Sequence, residues 1–375
     1  MAGIYIHIPF CEQFCTYCSF YSVKGRTYRG KFIKALKKEI ELKKDFLRGA
    51  STIYFGGGTP SILSIQQLQE LLLPLIAESI VERDLREVTI EVNPNDISLE
   101  YAQGLVEIGF NRVSMGVQSF IDEHLVWMNR RHKAAEAVNA YNLLKTAGIK
   151  NISLDLIFGY SSLTTEQWRY NLYKIIELAP QHISAYQMSV EPGSALSVKL
   201  RKGDYTLPND SVCAEQYKIL QQMLSSAGYE QYEISNFALK GFCSRHNSSY
   251  WDKTPYYGLG PSAHSFNGTK RFWNTDSVKK YCDYYLSPCE SAPVQVCNGE
   301  ILSDVDMFNE SIMLGLRTVA GVNTRCLNSA MFNSIAPIIS REKLSGNLIL
   351  EGHFLKIPLN KLFISDSIIR DLFIG

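Results

Sequence analysis

The sequence has no surplus of charge: 38 Lys and Arg residues stand against 37 Asp and Glu, a net +1. A chain so balanced offers no electrostatic reason to bind nucleic acid or an anionic membrane surface. It has no apolar run approaching the ~20 residues of a membrane-spanning helix. Low-complexity tracts and short-period repeats are absent, which excludes solenoids and disordered tails. A basic-then-apolar leader is missing too, since strand-like residues begin almost at Met1, so neither secretion nor organelle import is expected. Nine cysteines without such a leader point to a reducing cytoplasm, where thiols stay free for metal.

The cysteines do not form a zinc pattern. A structural zinc site wants four tetrahedral ligands, often as two paired C-x2-C units. Cys213, Cys243, Cys282, Cys289, Cys297 and Cys326 are scattered and supply no second pair. What the chain does have is a tight group of three, Cys11, Cys15 and Cys18, spaced C-x3-C-x2-C in HIPFCEQFCTYCSF. Three thiolates can hold three irons of a 4Fe–4S cubane and leave the fourth iron open. An open iron can bind a small molecule and pass an electron to it.

At 375 residues and 46% apolar content, the chain suits a large α/β body followed by a smaller unit. Strand candidates are Ile4–Pro9, Thr52–Gly57, Val88–Asn93, Arg112–Gln118, Ile152–Phe158 and Ile183–Val190. Helical stretches lie between them near 28–48, 64–79, 98–109, 133–147 and 164–178. Six βα units in register predict a parallel sheet curved as a partial (β/α)6 barrel. A helix near 210–227 and a strand near 231–236 follow, and then the βα period is lost. We place a boundary near 240, giving a barrel over 1–240 and a smaller α+β domain over 241–375 with a hairpin at Leu348–Ile357.

The strands alternate, where fully buried parallel strands usually read as continuous apolar runs. Tyr5 and His7, Thr52 and Tyr54, Thr89, Glu91 and Asn93, Arg112, Ser114 and Gln118, and Ser153 and Asp155 share one face of their strands. The apolar alternates need helices on them, so the polar faces must line the interior. Burying such groups without partners costs kcal/mol each, which predicts a lumen holding polar ligand and water.

Phe55-Gly56-Gly57-Gly58-Thr59-Pro60 closes the second strand. Three glycines allow close backbone approach to a ligand. No Lys-Ser/Thr follows, so the run is not a P-loop. Glu91, Asn93, Gln118 and Asp155 fall at or near the C-terminal strand ends, the rim that builds active sites in βα barrels. Glu91 could accept from an ammonium group and Asp155 from a ribose, while Arg130 could grip a carboxylate with its fork. The basic run Lys31–Lys44 carries apolar residues at helical spacing and reads as the solvated face of an outer helix. His246-Asn247-Ser248-Ser249-Tyr250-Trp251 places a histidine beside two aromatics, which suits a flat porphyrin with imidazole as axial iron ligand, or else a loop packed on the barrel. His264 stands similarly in a glycine-containing loop; Cys243 reads as a buried thiol and His353 as structural.

YIHIPFC-x3-C-x2-C, FGGGTPS, EVNP, GVQSF, NRRH, DLIFG and YEQYE occur in one order over nearly the whole chain. In this the chain resembles the oxygen-independent coproporphyrinogen III oxidase-like radical S-adenosylmethionine (SAM) proteins. It is most similar to their heme chaperone branch. Phe20 stands where the oxidases have a further cysteine, and HNSSYW matches the branch's HNxxYW signature. The resemblance implies that Cys11, Cys15 and Cys18 ligate a 4Fe–4S cluster whose open iron SAM chelates. It implies SAM contacts at Tyr5, Gly57, Gly58, Thr59, Glu91, Gln118, Arg130, Asp155 and Ala185, some of which serve a second SAM in the oxidases. It also implies heme, placed near His246. Ser19 departs from the Asp common in the branch, and the oxidases' long N-terminal extension is not present.

Two functions follow from the resemblance. One is a heme chaperone delivering heme to an acceptor such as a respiratory cytochrome, with an electron donor such as flavodoxin or ferredoxin and peripheral contact with a membrane. The other is a coproporphyrinogen III oxidase performing oxidative decarboxylation. A radical SAM methyltransferase acting on heme is a third.

Overall fold

A computed structural model describes residues 2–25, 27–76, 85–287 and 297–375. The last residues of the helix expected over 64–79, and Cys289, lie outside the described residues.

Six strands run parallel in chain order: β1 (Ala2–Ile8), β2 (Ala50–Gly57), β3 (Glu87–Val92), β4 (Arg112–Gln118), β5 (Asn151–Phe158) and β6 (His182–Gln187). Between them lie α1 (Arg29–Leu47), α2 (Ile65–Ile76), α3 (Leu99–Glu107), α4 (Ala134–Thr146) and α5 (Thr165–Leu178). Most ends fall close to those expected. The exception is the strand expected over Ile183–Val190, which stops at Gln187 because Pro192 and Gly193 (φ +86°) turn the chain into a short helix, Ala195–Lys202.

The alternation resolves as a sheet buried on both faces. Ile53, Ile90, Val113, Leu154 and Ile183 are fully buried, as are Leu68, Leu71 and Leu72 of α2. Removing such side chains from water contributes about 1.5–3 kcal/mol each. The opposite alternates Thr52, Thr89, Ser153 and His182 are buried as well, and each has a partner: Ser153 Oγ lies 2.7 Å from His182 Nδ1 and 3.3 Å from Ser184 Oγ, Thr52 Oγ1 lies 2.8 Å from His246 Nδ1, and Thr89 Oγ1 donates to Glu87 at 3.4 Å. Buried hydroxyls persist where they find partners.

Among the described residues no strand pairing closes the sheet on itself. Beyond α6 (Asp210–Ser226), the strand expected near 231–236 is two short antiparallel strands, β7 (Glu230–Gln231) and β8 (Asn236–Ala238), and β8 covers the outer edge of β6. After α7 (Arg245–Trp251), β9 (Tyr256–Leu259) covers the outer edge of β1, in parallel. β10 (His264–Phe266), β11 (Lys270–Asn274) and β12 (Cys297–Ile301) extend it antiparallel. The order is β12-β11-β10-β9-β1-β2-β3-β4-β5-β6-β8-β7, one twelve-stranded sheet running across residue 240.

α8 (Val278–Leu286) packs on α1. In α1 the expected solvated face is present, with Lys31, Lys34, Lys37, Lys38 and Lys44 exposed. Glu39 in the same helix is fully buried. It accepts from Lys43 Nζ (2.6 Å), Gly260 N (2.8 Å), Asn274 Nδ2 (2.8 Å), Tyr285 OH (3.0 Å) and Tyr281 OH (2.5 Å), tying α1 to β9–β11 and α8. The C-terminal part holds α9 (Asp304–Leu316), short helices Ser329–Ser334 and Ala336–Leu344, a three-stranded sheet containing the expected hairpin, Ile349–Glu351 and Phe354–Lys356, and a last helix, Ser365–Asp371. Among the described residues no helix is long and apolar enough to cross a membrane.

Candidate cluster and cofactor site

The C-terminal ends of the parallel strands open into a cavity of about 1210 Å³. Cys11, Cys15 and Cys18 line it, on the loop that leaves β1. Local contacts hold that loop on every side. Phe10 is buried edge-on against Phe32, with ring centroids 5.2 Å apart, and Phe10–Cys11 pairs in parallel with Val23–Lys24. Thr16 donates through N and Oγ1 to Met128 O and Trp127 O, both at 3.0 Å, and Asn129 Nδ2 donates to Phe14 O at 2.7 Å. The helix Ala195–Lys202 joins them through Leu196 N donating to Thr16 O at 2.8 Å.

The thiols are half-buried, and burial pushes Cys11 up and Cys18 up to about 11, each raised further by the charge of Cys15. Thr59 Oγ1 donates to Cys11 Sγ at 3.5 Å and Arg130 Nη1 to Cys15 Sγ at 3.3 Å. Among the described residues no three His, Cys, Asp or Glu side chains converge as a single ion needs. Three thiols ringed around a loop, with a guanidinium and a hydroxyl aimed at them, fit a larger anionic iron–sulfur group.

The glycine run serves this loop. Gly58 N donates to Ile8 O at 2.9 Å, and a Cβ there would sit 2.7 Å from Phe10 O. Gly57 has φ +106°, and a Cβ on it would meet the His7 ring at 2.6 Å. These two glycines are therefore demanded by close packing on β1 and the cysteine loop. His7 is buried and neutral, its pKa lowered to about 4 by burial. Nε2 must donate to the Tyr21 carbonyl (2.8 Å), which leaves Nδ1 to accept from Tyr5 OH (3.2 Å).

Deeper in the cavity, Glu91 accepts from Tyr54 OH (2.8 Å) and Gly57 N (3.2 Å). Burial raises its pKa to about 7 against the opposing effect of those bonds, and Asp155 adds to the rise. Asp155 is raised by burial too, while Ser114 and Ser153 donate to it at 3.2–3.3 Å. Arg112, 1% exposed, favours the ionised form of both carboxylates, and its Nε and Nη1 have no partner among the described residues. Gln118 (φ +67°) holds a buried Oε1 likewise unpartnered, and so does Arg130 at Nε. Arg130 spends its other donors on Cys15 and on Gly116 O (2.6 Å), so its fork faces sulfur and backbone. Orphaned polar atoms beside two carboxylates and an open cluster loop suit a small zwitterionic ligand.

The structure brings Gly58, Thr59, Glu91, Gln118, Arg130 and Asp155 to this cavity with the cysteines. Tyr5, Gly57 and Ala185 are not among the residues that line it; Ala185 is buried and donates from N to Ser235 O at 2.8 Å. His246 is elsewhere. It lies at the opposite, N-terminal end of the strands, fully buried, with Nδ1 2.8 Å from Thr52 Oγ1 and Nε2 2.9 Å from Tyr250 OH. Its ring stacks on Tyr54 at 5.0 Å, and burial lowers its pKa to about 3. Glu87 accepts from Arg245 N, His246 N and Ser244 Oγ, fixing the N-terminus of α7 there. Of the two readings the sequence offered for this run, an axial ligand or a segment packed on the barrel, the described geometry is that of a packed segment, with both ring nitrogens within hydrogen-bond reach of neighbours. Residues that sequence reasoning did not assign to the site include Tyr54, Arg112 and Met188. The first two were visible only as members of a polar strand face, and Met188 carried no signal.

A family model, the Radical SAM superfamily, matches residues 5–170. The chain is 37% identical over 85% of its length to the "Heme chaperone HemW" of Lactococcus lactis, covering 82% of that protein. It is 35% identical over 87% of its length to that of Bacillus subtilis, covering 86% of it. Among solved structures, coproporphyrinogen III oxidase (HemN) of Escherichia coli, a radical SAM enzyme, superposes with a TM-score of 0.81 at 22% identity, over 99% of this chain and 89% of that one.

Proposed function

The chain belongs to the HemW heme chaperone family of radical SAM proteins, and from that premise we propose that it binds heme and hands it to an acceptor protein such as a respiratory cytochrome. The similarity to heme chaperones over most of both chains carries this reading. Cys11, Cys15 and Cys18 would hold a 4Fe–4S cluster, with Arg130 and Thr59 donating to the sulfurs. Gly58, Glu91, Gln118 and Asp155 would receive SAM on the cavity side, while Tyr5, Gly57 and Ala185 support the wall. When bound, cluster and SAM supply one-electron chemistry, and the surrounding residues hold and shield them. Arg112 keeps Glu91 and Asp155 toward their charged forms for a cationic ligand. A cytoplasmic setting, a flavodoxin- or ferredoxin-type electron donor and peripheral contact with a membrane-bound acceptor belong to the same proposal. So does a functional division near 240, with 1–240 carrying the cluster and 241–375 the heme-handling surfaces.

The test is anaerobic reconstitution followed by heme titration, with a parallel assay of coproporphyrinogen III decarboxylation. We expect about four irons per chain, lost when the three cysteines are replaced by alanine, together with stable heme binding and no decarboxylation. Turnover to protoporphyrinogen would assign the chain to the oxidases instead.

A further inference from the structure

We propose that Arg130 raises the reduction potential of the cluster by donating to the sulfur of Cys15. The proposal rests on the cluster reading above. It gives Arg130 a role beyond the SAM contact that the resemblance implies.

The three sulfurs are not served alike. Cys11 Sγ accepts from two hydroxyls, Thr59 Oγ1 at 3.5 Å and that of Ser22. Cys18 accepts from the backbone N–H of Phe20. Cys15 Sγ accepts from Arg130 Nη1 at 3.3 Å, and Tyr17 OH lies within hydrogen-bond reach of both that guanidinium and that sulfur. Among the described residues, Arg130 is thus the one charged donor to any of the three. Other cations of this region point elsewhere. Arg29 pairs with Glu12 at 2.6 Å and Arg131 with Asp96 at 2.7 Å, while Lys24, the ladder partner of Cys11, lies over the Phe14 ring at 5.0 Å.

The protein itself holds the guanidinium in place. Nη2 donates to Gly116 O at 2.6 Å, and the backbone N of Arg130 donates to Leu125 O at 2.8 Å. A Cβ at position 116 would sit 3.2 Å from Nη2, so glycine there leaves room for the fork. The segments that carry donor and sulfur are also tied to each other. Asn129 Nδ2 donates to Phe14 O at 2.7 Å, Gln13 Nε2 donates to Asn129 Oδ1 at 2.7 Å, and Thr16 N donates to Met128 O at 3.0 Å. The neighbours of Arg130 therefore bond to the neighbours of Cys15 on both sides. Nε has no partner among the described residues and is left for a ligand, so a SAM contact and the sulfur contact do not compete for one hydrogen.

Chemistry gives the direction. A cluster held by three thiolates is anionic. Taking one electron from the donor protein adds a further negative charge, with no bond made or broken. A guanidinium against a ligating sulfur favours that more negative state, and hydrogen bonds to the sulfurs are among the factors that set the potential of such clusters.

The experiment is a redox titration of the anaerobically reconstituted full chain, without SAM, followed by EPR of the reduced cluster. Wild type is compared with Arg130→Gln, Arg130→Lys and Arg131→Gln, the last removing a charge that faces no sulfur, and iron is counted in each. At the wild-type midpoint we expect the ratio of reduced to oxidised cluster to fall at least tenfold in Arg130→Gln, which is a midpoint lower by ~59 mV for one electron. Arg130→Lys should fall less, and Arg131→Gln should stay close to wild type. An unchanged midpoint in iron-replete Arg130→Gln would overturn the assignment, and weaker SAM binding in that same variant would leave Arg130 as a SAM contact only. Equal shifts in Arg130→Gln and Arg131→Gln would overturn it too, because the effect would then belong to net charge. Loss of iron from both Arg130 variants would do the same, making Arg130 a residue that retains the cluster. Wild type without iron would overturn the cluster and this proposal together. A cluster-bearing wild type that binds no heme would overturn the proposed function and leave the midpoints to decide Arg130.

Discussion

A carboxyl buried beside a second carboxyl resists ionisation, and Glu91 shows what this costs the protein. Its pKa rises from the ordinary 4.5 to about 7. Between those two values the folded chain holds a proton that the unfolded chain has lost. The contribution of Glu91 to stability therefore falls as pH rises through that window and levels off above about 7. The fall is on the order of 3 kcal/mol or less, one pKa unit being worth roughly 1.4 kcal/mol. Urea unfolding of cluster-free Glu91→Gln should show a flatter pH dependence there than wild type. The same substitution should weaken SAM binding and remove its strengthening toward pH 8, when the wild-type carboxylate is charged. Identical pH profiles for variant and wild type, measured by calorimetry, would contradict this account.

At the scale of the element, single carboxylates anchor whole helices. Glu87 ties the N-terminus of α7 to the start of β3. Glu39 does more, because its partners come from β11, α8 and the turn after β9 as well as from its own helix. Replacing it with alanine takes the acceptor from the buried Gly260 N–H and from one Asn274 Nδ2 hydrogen, the other still donating to Gly260 O, at about 1–3 kcal/mol apiece. We expect Glu39→Ala to lose roughly 3–5 kcal/mol of stability in urea titration, against within ~0.5 kcal/mol for Lys38→Ala on the exposed face. Equal losses for the two would refute the anchoring role. The lysine run around Glu39 predicted a solvated helix face and concealed this buried residue, since only the arrival of β11 and α8 makes position 39 interior.

For the whole molecule, the sheet is the organising object. β9 takes the outer edge of β1, so a chain ended at residue 240 would leave β1 with unpaired backbone donors and acceptors along one side. Exposed edges of that kind recruit other strands. A 1–240 fragment should form soluble aggregates by size-exclusion chromatography, whereas one extended through β12 should elute as a discrete species. A monodisperse 1–240 fragment would show that the edge is protected in another way.

The barrel units were legible in the sequence because helix and strand periods are local, and Cys11, Cys15 and Cys18 because their spacing lies within one short loop. The glycine run was legible as a close approach, although its neighbour proved to be the protein's own β1. Burial and partnership were not legible, because they depend on contacts between distant segments: His246 meets Thr52 194 residues away, and Glu39 meets Asn274 235 residues away. Local periodicity thus determined which elements form and which sulfurs gather. Only the long-range pairing of the sheet decided which of two similar-looking histidines, His246 and His264, is sealed inside and which stands exposed, since solvent access belongs to the assembled fold and not to any stretch of chain.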